Sequence, residues 1–569
     1  MWKPDRTAVQ RKLVPFFLLL AGTLIILLTD CGGGGSASAP AAPPGSAPQS
    51  SSSPTPAPPP SAPAPQPTAH TDVATYKDDA GRTGENLTET ALTPANVNSS
   101  SFGLLRVLSV DGKVDAQPLY LAQVSVAGAA HDVVFVATEN DSVYAFDPHT
   151  GATLWHVSLL GSGETPSDDR GCDQISPQIG VTSTPVIDRK AGPDGAIFLV
   201  AMSKDGSSNY HQRLHALDIT SGAELFGGPV TINPTYSSSA GGQKTFSPGQ
   251  YAERAALLLD NQTIYTSWTS HCDVQPYSGW IVGFSESTLA QTAVLNVAAD
   301  SDAGPSIWMS GGGLAADSAG NIYLLTANGT FDTGLNSSGF PQSGDYGNSF
   351  LKLSIAGGGL AVADYFTPSN EVAESANDQD LGSGGAMLLP DLTDTGGTVR
   401  HLMVGAGKDG NLYVVNRDDM GKFSSSGNAD WQQLDGALPG GAFSSPAYFN
   451  GTVYYADVGG PLKAFSVTGA KLSTQPTSVT TTDFPYPGTI PAVSASGSAN
   501  GIVWAVENSN PAVLHAYDAG DLTHELYNSN QAAGGRDNFG AGNKFITPTV
   551  ADGMVFVGTP NGVAVFGRR

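Results

Sequence analysis

The chain has 569 residues, and its 69 glycines, 39 prolines and charged fraction of only 14% favour a turn-rich all-β protein over a helical one. A formal net charge of −25 repels phosphate backbones and anionic headgroups, which excludes nucleic acid as a main partner. Length alone would allow roughly three or four domains, but internal repeats argue for a single large one.

Lys3, Arg6, Arg11 and Lys12 form a basic start, followed by an apolar run at 13–28. That run is short for a membrane span and suits the core of an export signal over residues 1–30. Leu28-Thr29-Asp30-Cys31 resembles a bacterial lipobox, with Cys31 placed for lipidation. Asp30 departs from the small neutral residue usual there, so an uncleaved signal anchor and plain secretion stay open. Residues 31–70 are nearly all Gly, Ser, Ala, Pro and Gln. They cannot bury enough apolar surface to offset chain entropy and read as a disordered tether. The expected protein is exported, at the bacterial outer membrane or in the periplasm. It is a monomer that meets a membrane only through its N-terminal lipid or signal anchor. Cys172 and Cys272 are the remaining cysteines, and an oxidising compartment permits them to pair.

Residues 71–569 repeat. Each unit opens with a small or turn residue, often Pro, and a short apolar strand. A second strand follows, then a Gly/Asp/Asn turn and a third strand ending in a phrase such as Ala145-Phe146-Asp147. In the first unit the strands are expected at 117–121, 133–138 and 143–147, with a fourth at Leu154-Trp155. Openings recur at Thr184-Pro185, 255–259, Gly312-Gly313-Leu314, 384–389, Ser445-Pro446, Ile490-Pro491 and Thr547-Pro548. Eight openings about 61 residues apart predict an eight-bladed β-propeller. The chain ends three strands into the eighth blade, and the segment 102–108 is free to supply the missing outer strand, which would remove an open sheet edge. Trp155 and Trp504 are expected to pack between blades.

The phrase at 133–155, with Arg213-Leu214-His215-Ala216-Leu217-Asp218 and Lys408-Asp409-Gly410-Asn411-Leu412-Tyr413, resembles the pyrroloquinoline quinone (PQQ) repeat of quinoprotein alcohol dehydrogenases. The resemblance implies a set of site residues. Trp308 in Ile307-Trp308-Met309 would stack under the quinone, and Lys408 would contact its oxygens. Asn328 in Ala327-Asn328-Gly329, Asp273 after Cys272 and Asp345 in Gly344-Asp345-Tyr346 would hold calcium, a hard cation suited to carboxylate and amide oxygens. Asp345 would also take the alcohol proton as hydride leaves for the quinone. Asp115, before Gln117-Pro118-Leu119, and Cys172 would line the cofactor. Each residue has a plainer reading: Trp308 as blade packing, Asn328 as a turn residue, Asp345 as a loop carboxylate, Lys408 as an exposed lysine beside a hairpin.

The chain also departs from that family. The family's vicinal cysteine pair is reduced to Cys172, and a Cys172–Cys272 disulfide across neighbouring blades would be a replacement. Asp stands for Glu at 115 and 273. No Cys-x-x-Cys-His occurs, so no covalent haem is expected and electrons would leave through a separate carrier. Two readings follow: a PQQ- and calcium-dependent dehydrogenase of an alcohol or sugar-like small molecule, or a non-catalytic surface propeller that binds a protein or glycan. No Ser/His/Asp or zinc spacing supports a hydrolase.

Overall fold

Each opening read from the sequence leads into the innermost strand of its own sheet: Leu119–Val126, Val186–Asp188, Leu258–Asp260, Ala315–Ala316, Met387–Leu388, Ala447–Phe449, Ala492–Ser496 and Thr549–Ala551. The computed structural model describes residues 71–301, 304–356 and 359–569. Within these, eight antiparallel sheets follow one another as the blades of a propeller. The export signal, Cys31 and the tether lie outside the described residues. Among the described residues helix is confined to one six-residue turn, Glu371–Ala376, and short 3-10 pieces. Among the described residues no helix is long and apolar enough to cross a membrane.

The fourth opening differs in detail from expectation. Gly312 and Gly313 are not in the strand, which starts at Ala315. Arg82 explains the glycine, since a Cβ on Gly313 would stand 2.9 Å from Arg82 Nε.

The ring closes through the segment read as a spare strand. Phe102–Ser109 pairs antiparallel with the final strand Gly562–Arg568, Phe102 opposite Arg568 and Ser109 opposite Gly562. Phe102 is fully buried against Trp504, Tyr527 and Phe566, with ring centroids 5.5, 5.0 and 6.4 Å away. This ties blade 8 to blade 7, and burying such a side chain contributes about 2–3 kcal/mol. Trp155 makes the corresponding tie at the other side of the ring, its Nε1 donating to Ile219 O of blade 2 at 3.0 Å.

The segment 73–89 runs through the channel bounded by the innermost strands. Such strands have an unpaired inner edge, and buried backbone groups need partners. The segment provides them blade by blade. Val73 pairs with Tyr120 in blade 1, Ala74 O accepts from Ile187 N, Ala80 O from Ala316 N, Gly81 O from Leu388 N, Thr83 O from Tyr448 N and Gly84 O from Val493 N. Asn86 Nδ2 donates to Val550 O in blade 8 at 2.7 Å. Blade 3 is reached by Arg82, whose Nη2 donates to Leu257 O at 3.1 Å while Nε donates to Leu314 O at 2.7 Å. Arg82 and Lys77 are fully buried, and desolvation brings them down to about 10 and about 7 respectively. Lys77 Nζ donates to Pro491 O at 2.6 Å. Gly84 is in the left-handed region, and a Cβ there would lie 2.4 Å from Lys77 Cε.

Candidate functional site

One repeat position supplies much of the channel wall beyond this plug. The residue four places before each innermost strand is Asp115 in blade 1, Thr182 in blade 2 and Arg254 in blade 3. In blades 4 to 8 the same position holds Gly311, Ser383, Phe443, Gly488 and Phe545. Asp115, Thr182, Arg254, Gly311 and Phe545 surround one cavity, together with Tyr76 from the plug. Phe443, Gly488 and Phe545 surround a second. Each is about 10 Å3, the room of a single water molecule, and Phe545 is common to both.

Four aromatic side chains, Phe545 among them, form a closed ring at the channel mouth. Trp308 meets Phe443 at 5.7 Å and Phe545 at 6.0 Å, and Tyr486 meets the same two at 5.7 and 6.5 Å. All four contacts are edge-to-face, with interplanar angles of 70–82°, the arrangement the ring quadrupoles favour. Tyr486 remains 47% exposed. The backbone is strained here: Met309, Ser310 and Phe545 have φ of 45°, 49° and 63°, a region that costs bulky residues of order 1–3 kcal/mol each.

Lys408 lies at this ring, its Nζ 5.9 Å from the Trp308 centroid and 6.0 Å from that of Phe443. It forms ion pairs with Asp380 and, at 3.1 Å, with Asp378. Burial opposes its charge, but the two carboxylates prevail and hold Lys408 above the usual lysine range. Asn328 is drawn into the same cluster: its backbone N–H donates to Asp380 Oδ1 at 2.8 Å and its Nδ2 to Asp378 Oδ1 at 3.1 Å.

The other expected ligands have different surroundings. Asp273 Oδ1 accepts from Ser270 Oγ at 3.0 Å and Tyr277 Oη at 3.2 Å. Asp345 is buried with Oδ1 unpartnered. Burial, with repulsion from Asp300 and Asp332, raises it to about 6. The structure therefore brings Trp308, Lys408 and Asn328 together. Among the described residues Asp345 shares no hydrogen-bond partner with Asn328 or Asp273. Among the described residues no group of three or more His, Cys, Asp or Glu side chains is close enough to hold a metal ion. Cys172 and Cys272 form a disulfide across blades 2 and 3. Asp115 accepts from Asn543 Nδ2 at 2.7 Å and pairs with Lys113 at 3.0 Å. Burial opposes its ionisation, but Lys113, Glu139 and Arg254 lower it below the usual range.

As they stand, these side chains do not fit the quinone and its metal. Phe443 and Phe545 crowd Trp308, with ring centroids 5.7 and 6.0 Å away, the adjoining cavities hold about one water each, and Lys408 is held by two aspartates. Phe443, Phe545, Tyr486, Arg254, Asp378 and Asp380 have no motif of their own. The spacing before each innermost strand was the available signal for three of them: Arg254, Phe443 and Phe545.

No protein-family model matches the chain, and no curated protein matches its sequence. Among solved structures, the quinohemoprotein alcohol dehydrogenase of Comamonas testosteroni is similar over 88% of this chain and 81% of that chain, with a TM-score of 0.58 and 15% identity. The corresponding figures are 87%, 80%, 0.55 and 12% for the quinohemoprotein alcohol dehydrogenase ADHIIG of Pseudomonas putida HK5. A europium-containing methanol dehydrogenase gives 87%, 98%, 0.52 and 13%. The fold is thus the eight-bladed propeller found in quinoprotein alcohol and methanol dehydrogenases. At such identities the likeness concerns the fold, and function has to be argued from the site.

Proposed function

We propose that the protein is a non-catalytic binding propeller whose ligand, a glycan, docks on the aromatic channel mouth. The closed ring of Trp308, Phe443, Tyr486 and Phe545 carries the reading. It leaves Tyr486 half exposed, and Lys408 at the same ring brings with it the carboxylate of Asp378 and the amide of Asn328. Apolar faces with a few fixed polar groups suit the C–H faces and hydroxyls of a sugar. In this reading residues 1–30 export the chain, Cys31 carries the lipid, and residues 31–70 tether the propeller at the cell envelope.

The reading predicts that PQQ with Ca2+ at micromolar concentration neither binds in equilibrium dialysis nor supports reduction of an artificial dye. Tyr486→Ala should weaken capture on a glycan array at least tenfold without changing Tm. Undiminished capture by Tyr486→Ala would remove the mouth from the proposal.

One observation favours the dehydrogenase as second reading: Lys408 stands over Trp308. There PQQ would rest on Trp308 near Lys408, Cys172 and Asp115. Calcium would be held by Asp273, Asn328 and Asp345, and Asp345 would accept the substrate proton, which requires it to leave its place beside Asp300 and Asp332. Bound PQQ supplies the hydride acceptor. This reading requires Phe443 and Phe545 to withdraw. Dye reduction that Asp345→Asn abolishes would establish it over the first.

A further inference from the structure

Arg254 is 5% exposed, yet its guanidinium has no hydrogen bond or ion pair among the described residues. It lies over the Phe545 ring, with Cζ 5.1 Å from the centroid, and beside the backbone at Gly311, where a Cβ would lie 3.7 Å from Cζ. Its five donors, without an acceptor among the described residues, border the adjoining cavity. The repeat position explains how Arg254 comes to face the channel: it is the blade 3 counterpart of Asp115 and Thr182, and all three border the same single-water cavity.

The nearby acids do not neutralise it. The charge of Asp115 is taken by Lys113 and Asn543. Burial holds Glu253 well above the usual carboxylate range, and burial with Asp115 beside it does the same to Glu139. Both are thereby pushed toward the neutral form. Lys544 adds a second cation without a partner among the described residues. Burial, Lys113 and Arg254 together hold it below the usual lysine range. In a chain of net charge −25, Arg254 and Lys544 thus bring two cations together near the propeller axis, with Asp115 and Asp173 the carboxylates that act on Lys544. Donors are at hand: the Arg254 fork and the Thr184 hydroxyl, which accepts from Gln117 N at 2.9 Å and keeps its own proton for another acceptor.

We infer that Arg254 anchors a site for a small monovalent anion of halide size in the central channel, between the N-terminal plug and the aromatic mouth. The cavity, with room for about one water, suits an ion of chloride size. The site goes beyond the glycan reading and does not involve Tyr486, so either proposal can fail while the other stands.

The test is titration of the full chain with chloride against gluconate at constant ionic strength, read by 35Cl line broadening and by Tm. The expected result is saturable broadening displaced by bromide, with Tm rising by roughly 2 °C between chloride-free buffer and saturation. Arg254→Met should lose both effects, and the exposed Arg568→Met should keep both. Absence of saturable broadening by the wild-type chain overturns the site, as does undiminished broadening by Arg254→Met. Should Arg254→Met not fold, bromide soaked into crystals of the wild-type protein gives the same decision. An anomalous peak within about 3.5 Å of the Arg254 guanidinium supports the site, and peaks confined to other places overturn it.

Discussion

Val73 and Tyr120 exchange two backbone hydrogen bonds, of 2.8 and 2.9 Å, and so begin a run of contacts that reaches every blade by residue 86. The propeller is therefore closed twice. The outer closure is the pairing of Phe102–Ser109 with Gly562–Arg568. The inner one passes through the axis, where one short segment meets the inner edges of the sheets in blade order, blade 3 alone being reached out of turn by Arg82.

Arg82 should be the most costly residue of that segment to lose. Besides reaching blades 3 and 4, it donates to Thr75 Oγ1 at 2.8 Å and Tyr76 O at 2.9 Å. Arg82→Met leaves several buried carbonyls without a donor and should destabilise the protein by about 3 kcal/mol or more. Arg82→Lys should recover little, because an ammonium cannot reproduce the planar fork. Thermal unfolding decides the point, and a Tm loss no larger than that of Arg568→Met would contradict it.

The blade count and the closing strand were legible in the sequence because each rests on local pattern: apolar alternation, turn residues, and a recurring opening. The plug was not, since 73–89 has no periodicity of its own and its structure is imposed by strands far along the chain. The aromatic mouth was hidden for a related reason. Trp308 could be singled out by its likeness to a known motif, but Phe443, Tyr486 and Phe545 acquire meaning only where the turns of different blades converge. Asp345 illustrates the limit of motif transfer. Its Gly-Asp-Tyr phrase sits at the anticipated place in the chain, while its electrostatic neighbours are Asp300, Asp332 and Lys244 rather than Lys408.

Lys408 is expected to be structural first. Asp380 is 5% exposed, and Lys408→Met would leave it as a buried carboxylate whose cation is gone, at a cost of about 3–5 kcal/mol. The double variant Lys408→Met/Asp380→Asn should regain much of that loss. A double-mutant cycle on Tm or denaturant midpoint measures the coupling, and additive single effects would mean that the pair contributes nothing jointly.

His515 gives the fold a pH dependence in blade 7. The ring is buried, with Nδ1 2.7 Å from Glu525 and Nε2 3.6 Å from Glu507. Burial disfavours its charge, but the two glutamates outweigh burial and raise it above the usual histidine value. A raised cation stabilises the folded state fully below the unfolded pKa of about 6.5. That contribution is lost as pH rises through the folded pKa. Tm should therefore fall from pH 6 to 9 by more in the wild-type protein than in His515→Gln. Parallel profiles would remove His515 from the effect.

Asp345 should have the opposite signature from a salt-bridged aspartate. Its folded pKa of about 6 lies above the unfolded value near 3.9, so the folded state binds more protons between the two. Stability must then fall as pH rises from about 4 to about 6, and above that window the buried charge costs up to about 3 kcal/mol. Asp345→Asn removes the titration while keeping the shape. The variant should be close to wild type at pH 4 and more stable at pH 8. A proton acceptor retained for chemistry at the expense of stability would show the same Tm gain together with loss of dye reduction in PQQ-loaded protein. A loop carboxylate would show the gain alone. No gain at pH 8 would mean that water or a cation reaches Oδ1 in solution and relieves the charge.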